Sequence, residues 1–260
     1  MSLIAPEDLK SFLDQQYERY NTPDFITEDP ISIPHQFCKK EDIEISGFFS
    51  ALIAWGRRDI IIRNARKLME RMEWAPFDFV SNAEEEELDA LADYVHRTFN
   101  GEDLKALILG IRRVYQEEGG LEGIFSKGIQ VQDIDIGNAI IYARSRLSAS
   151  DTFPKRTHKH LANPSKGSSA KRISMYLRWM VRKDDRGVDF GIWDSIRMDQ
   201  LICPLDVHTG TIARKLGILQ RKQNDWKAAL ELTKALKAFD PHDPVKYDYS
   251  LFGLGAYDEL

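Results

Sequence analysis

The chain has 260 residues, 43% of them hydrophobic and 30% charged, with 41 acidic against 36 basic side chains and a net charge of −5. Such a composition describes a globular protein able to bury a sizeable core. Its acidity excludes coating of nucleic acid by bulk charge but leaves room for a local basic site. Two cysteines far apart in sequence, Cys38 and Cys203, exclude a disulfide framework and a four-cysteine zinc or iron–sulfur site.

The first stretch, "MSLIAPEDLKSFLDQQYERY", is acidic and amphipathic and lacks the apolar core of a signal peptide. No apolar run approaches the ~18–20 residues that cross a bilayer, so a soluble, cytoplasmic protein is expected. Leu9, Phe12, Leu13, Tyr17 and Tyr20 predict a helix over 6–20. Pro23, Pro30 and Pro34 make the next stretch a linker or wrapping segment. Residues 41–54 predict a helix that is apolar nearly all round and therefore buried. It stops at Trp55-Gly56. Arg57 and Arg58 occupy the turn, and Asp59 is placed to cap a second helix with Ile61, Ala65, Leu68 and Met72 on its apolar face. Further helices are expected over 83–98, 102–117 and 134–147, punctuated by Asn100-Gly101 and Gly119-Gly120. No strand-like alternation persists anywhere.

The last third changes character. Between Lys155 and Arg186 stand ten lysines and arginines against two acids, Asp184 and Asp185. Within it, Pro164, Gly167, Ser168 and Ser169 predict a turn feeding a helix, with a serine as N-cap. Ile173, Tyr176, Leu177, Met180 and Val181 give that helix a core-facing stripe. Lys171, Arg178 and Arg182 fall on one line opposite the stripe, at ~100° per residue. A glycine- and serine-rich turn opening a helix presents backbone N–H groups and the positive end of the helix dipole to an anion. Lys166 and Arg172 would strengthen it for a phosphate backbone. A solvated basic helix face is the plainer reading of the same charges.

Beyond this segment, "LDVHTGTIARKLGIL" places Asp206 immediately before a helix of about ten residues that stops near Gly217. Capping is the common use of such an aspartate, and a carboxylate placed for chemistry is the alternative. His208 beside it, and "HKH" at 158–160, fall short of the three or four converging ligands a metal needs. No metal and no cofactor is expected.

The order of these features resembles the helix-hairpin-helix DNA glycosylase superfamily, over roughly residues 40–260. In that superfamily a glycine-containing hairpin leads into a helix bearing a catalytic lysine, and a later helix starts with a catalytic aspartate. "NPSKGSSAKRISMYLRWMVR" stands where the hairpin and lysine helix belong, and "CPLDVHTGTIARKLGIL" where the aspartate helix belongs. Upstream, "ISGFFSALIAWGRRDIIIRNARKLMERM" is similar to the early buried helix, turn and second helix. The final "DPVKYDYSLFGLGAYDEL" looks like the closing helix, with Asp243 as cap and Pro244 in its first turn. The hairpin is altered, with a single glycine, and Lys171 and Asp206 are 35 residues apart. Both departures are most similar to the archaeal 8-oxoguanine DNA glycosylases. The chain also looks like a bacterial family of unknown function placed at a distance in the superfamily.

The resemblance implies an all-α fold of two helical lobes with a cleft between them. One lobe would span 40–163; the other would combine 1–39 with 164–260. It implies a base-excision-repair glycosylase and AP lyase acting on duplex DNA at a damaged base, an oxidised purine for instance. Lys171 would be the nucleophile and Asp206 the assisting carboxylate. DNA would be held by Arg57 and Arg58 near the flipped base, by Lys166, Gly167, Ser168, Ser169 and Arg172 at phosphate, and by His208. A monomer is expected. The altered hairpin keeps open a nucleic-acid-binding protein without catalysis. A helical protein-interaction domain stands as a third reading, and it requires Lys171 and Asp206 to lie far apart and the affinity for DNA to be negligible.

Overall fold

Apolar residues recur at helical spacing through most of the chain, and the computed structural model, which describes residues 5 and 7–257, is mostly helical. In chain order the helices are α1 (Leu9–Tyr20), α2 (Asp24–Thr27), α3 (Lys40–Leu52), α4 (Arg58–Arg71), α5 (Pro76–Asn82) and α6 (Glu85–Asp89). A two-stranded hairpin follows, β1 (Val95–His96) and β2 (Phe99–Asn100). Then come α7 (Gly101–Glu117), α8 (Gly120–Lys127), α9 (Gly137–Leu147), α10 (Lys171–Val181), α11 (Val207–Lys215), α12 (Trp226–Lys237) and α13 (Tyr247–Ala256). Residue 6 of the expected first helix, residues 1–4 of the N-terminal stretch and residues 258–260 of the closing stretch lie outside the described residues. Among the described residues no helix is long and apolar enough to cross a membrane.

The chain forms two compact units. One contains the described residues through Phe25, Asp133–Ile136, and the described residues from Asn163 onward; the other contains Ile26–Gln132 and Gly137–Ala162. Residues 26–39 therefore belong with the middle of the chain and not, as expected, with its C-terminal third. The proline-rich stretch explains this: it folds as 3₁₀ turns, Pro30–Ser32 and Pro34–Gln36, that both pack on α3, the first also on α4, with Ile31 and Ile33 buried.

In the middle unit, α3 is enclosed on every side, as its unbroken apolar run requires. Ile43, Ile45, Phe48, Phe49 and Leu52 are buried, and so is Glu44, whose carboxylate accepts a 2.5 Å hydrogen bond from Tyr115 Oη. Helix α4 begins at Arg58 with Arg57 in the capping position, so Asp59 lies in the first turn and pairs with Arg57 at 2.9 Å instead of capping. The helix expected over 83–98 is a short turn, α6, followed by the hairpin. Burial alternates through Tyr94, Val95 and His96, a period of two that packs as strand. Arg97 makes the turn with φ 55°. Asn100 ends β2 and caps α7 in one step: its Oδ1 accepts from Asp103 N at 3.2 Å, and its own N–H donates to Asp103 Oδ2 at 3.1 Å.

In the other unit, α13 packs against α1 and α11. Ser250 Oγ donates to the Leu13 carbonyl at 2.7 Å and Tyr247 Oη to Asp14 at 2.8 Å. Helix α10 is buried from Ser174 to Val181, with Tyr176 and Trp179 fully enclosed.

Candidate functional site

The turn before α10 is built by its side chains. Asn163 Oδ1 accepts from Ser165 N at 3.1 Å, and Pro164 opens a 3₁₀ turn with its fixed φ. Gly167 follows at φ 84°, a left-handed position that glycine adopts without penalty. Ser168 Oγ takes the N–H of Ala170 at 3.2 Å. The expected serine cap is therefore displaced by one step. Ala170, itself left-handed at φ 54°, holds the capping position, and no side chain caps the mouth of α10. The far side of the turn is fastened to α12: Trp226 N donates to the Gly167 carbonyl at 3.2 Å, and Ser168 bridges Asp225. Lys166, Gly167 and Ser168 are exposed and Ser169 is half-buried. No α-helix immediately precedes the turn; the chain approaches it through the 3₁₀ turn Lys155–Lys159.

Lys171 is the first residue of α10, and its Nζ lies 3.6 Å from Asp206 Oδ2. Asp206 reaches that place because the segment before it is sunk into the core. Leu201, Ile202, Cys203 and Leu205 are buried, and Cys203 N donates to Thr233 Oγ1 at 3.0 Å. The two oxygens of the Asp206 carboxylate divide their work. Oδ1 accepts from Thr209 N at 3.0 Å and caps α11, while Oδ2 faces the lysine. The Asp206 carbonyl is held in turn by Asn224 Nδ2 at 2.9 Å. Both members of the pair keep about a quarter of their side-chain surface open, 26% and 23%, so a ligand can reach them.

The remaining expected residues are placed as follows. Arg172 is half-buried beside Lys171, and burial lowers its pKa to about 10, which leaves the guanidinium charged at neutral pH. His208 is exposed, with Nδ1 3.0 Å from the Gly255 carbonyl, and joins α11 to α13. Arg57 and Arg58 belong to the other unit, at the start of α4. Arg178 and Arg182 share the helix line of Lys171 but do not form an exposed basic face. Arg178 bonds Asp189 and Asp248, and Arg182 bonds Asp184, Asp189 and Asp243. Asp243 thereby gives its side chain to Arg182 and makes no side-chain cap before Pro244.

Sequence reasoning missed Asp248, Asn224 and the Asp225-Trp226 clamp. A signal existed for the first, since an acid inside the apolar run "YDYSLF" demands a buried partner. Cys203 carries no nucleophilic chemistry: burial, then the Asp248 charge, raises its thiol well above the ordinary value. Among the described residues no group of three or more His, Cys, Asp or Glu is arranged to hold a metal ion.

These observations define a mostly helical protein in which a lysine and a helix-capping carboxylate meet beside an exposed glycine turn. Residues 29–257 match the family described as protein of unknown function (DUF2400), and the chain belongs to that family. No curated protein and no solved structure matches it.

Proposed function

We propose that the protein is a base-excision DNA glycosylase with AP-lyase activity, of the helix-hairpin-helix type. The observation that carries the reading is the 3.6 Å approach of Lys171 Nζ to Asp206 Oδ2 at the mouths of two helices. A damaged base, the cheapest to unstack, is flipped out of the duplex. The bond from C1′ to the base breaks and its electron pair leaves with the base, which takes up a proton. Asp206 stabilises the positive charge that develops at C1′. The Lys171 lone pair forms the new bond to C1′, and Nζ gives up its proton to Asp206 Oδ2. The C1′–O4′ bond then opens: its electron pair stays on O4′, which takes the proton back from Asp206, and the nitrogen lone pair completes a protonated imine between C1′ and Nζ. Loss of a C2′ proton then breaks the C3′–O bond and releases the 3′ phosphate, and water frees the lysine.

Sodium borohydride reduces the imine to a stable amine, so wild type incubated with a panel of lesion-bearing and abasic duplexes should form a covalent adduct on denaturing gels. Lys171→Gln should form none. No adduct with any duplex, or equal trapping by Lys171→Gln, overturns the lyase mechanism.

The exposed Lys166 supports phosphate binding at the turn. Lys166→Ala should weaken duplex binding similarly for all sequences and lower the slope of log K against log salt by about one; fluorescence anisotropy across a salt series measures it. A second reading, binding without catalysis, is favoured by the one-glycine turn and by the missing α-helix before it. It predicts the same salt slope with no adduct. The protein-interaction reading predicts negligible duplex binding at every salt concentration.

A further inference from the structure

A third carboxylate is enclosed beside the elements that carry the pair. Asp248 sits in α13 among Tyr247, Tyr249, Ser250 and Leu251, all buried, and is itself only 5% exposed. A carboxylate is costly to bury unless charges and hydrogen bonds meet it. Arg178 Nη1 from α10 donates to Asp248 Oδ2, and Cys203 Sγ lies 4.0 Å from Asp248 Oδ1. Arg178 is itself held, with Nε 3.3 Å from Asp189 Oδ1 and its guanidinium 4.2 Å from the centre of the Tyr249 ring. Asp248 thus joins α10, which opens with Lys171, to the buried segment that ends at Asp206.

Its charge is coupled to both. Burial pushes the Asp248 carboxyl up to about 6; Arg178 opposes this, Asp206 adds to it, Lys171 opposes it and Asp189 adds to it. The other groups brought to α13 point to different atoms. Helix α1 offers Asp14 to the Tyr247 hydroxyl and Tyr17 edge-on to the Tyr249 ring, and α11 offers His208 to the Gly255 carbonyl.

We propose that Asp248 is a positioning residue for the Lys171–Asp206 pair: its one buried carboxylate fastens α10, which opens with Lys171, to the segment that ends at Asp206, and its charge acts on both. The inference rests on the reading of Lys171 and Asp206 as the reacting groups. An anion nearby favours the ammonium over the amine and the carboxylic acid over the carboxylate. The reactive form, free amine with carboxylate, is therefore favoured when Asp248 is neutral.

Two measurements test this. The first follows the Asp248 carboxyl by carbon-13 NMR against pH, without DNA. Its midpoint should rise in Lys171→Gln and fall in Asp206→Asn, each by about half a pH unit or more, because coupling between charges is reciprocal. A midpoint that stays in place in both variants overturns the proposal. The second is borohydride trapping on an abasic duplex against pH. In Asp248→Asn the acid limb should move to lower pH by a similar amount; a lower yield at every pH with an unmoved limb overturns it. Should Asp248→Asn fail to fold, the first measurement decides alone, since Lys171 and Asp206 are both partly exposed. A wild type that traps no duplex while the midpoint moves as expected confirms the coupling and sinks only the glycosylase reading.

Discussion

Asp206→Asn should keep the fold and lose the chemistry. Asparagine caps a helix about as well as aspartate, and its side-chain oxygen can still accept from Thr209 N, the bond that Asp206 Oδ1 makes at 3.0 Å. What it cannot do is carry charge opposite Lys171 or take a proton from it. Loss of the partly exposed ion pair itself costs at most about 1 kcal/mol. Base excision, by contrast, should fall by about 10²–10⁴-fold, the usual worth of a positioned acid–base group. Asp206→Ala should lose both, with a further ~1 kcal/mol of stability gone with the cap. Chemical denaturation and single-turnover excision on the same three proteins separate the two roles. Full excision by Asp206→Asn would reduce Asp206 to a helix cap.

That division between two oxygens of one side chain marks how far the sequence could be read. The residues at 171 and 206 are each legible as helix openers, because capping chemistry and turn residues act locally. Their meeting is not legible: it depends on the buried run Leu201–Leu205 and on the Asn224 bond to the Asp206 carbonyl, both tertiary. Most helices follow from apolar periodicity, and the enclosure of α3 follows from its lack of a polar face. The failure at 83–98 has a local cause. Four consecutive acids from Glu84 suit a first helical turn, and α6 does start there, but it ends at Asp89 and the alternation from Tyr94 onward prevails as Tyr94, His96 and Phe99 enter the core. The basic segment misled in a different way. Periodicity put Arg178 and Arg182 on the line of Lys171, and nothing local to α10 revealed that Asp189, Asp243 and Asp248 converge on them. Charge counted along a sequence says little about charge presented to a ligand when the opposing acids come from distant segments.

Arg182 allows the sharpest test of that point. It is 1% exposed and gathers three other pieces of its unit. Nε lies 2.9 Å from Asp243, just before α13, and Nη1 lies 2.5 Å from Asp184 and 3.1 Å from Asp189, in the loop after α10. Nη2 donates to Tyr17 Oη of α1 at 2.8 Å. Burial alone would lower the guanidinium pKa, yet Asp189 and Asp243 reverse this and raise it, so the charge is permanent. Arg182→Ala leaves those acids enclosed without their cation, and the cost should be about 3–5 kcal/mol, the usual penalty for breaking a buried pair from one side. Lys183, the next residue in the same basic run, pairs with Asp194, and both are largely exposed. Lys183→Ala should cost no more than about 1 kcal/mol. Guanidinium denaturation of the two variants beside wild type reads the difference directly as a shift in midpoint. Equal, small losses would mean that Arg182 is solvated and free to serve a ligand. A large loss confined to Arg182 assigns it to the fold and leaves Lys166, Lys171 and Arg172 as the cations of this segment placed at the turn and the mouth of α10.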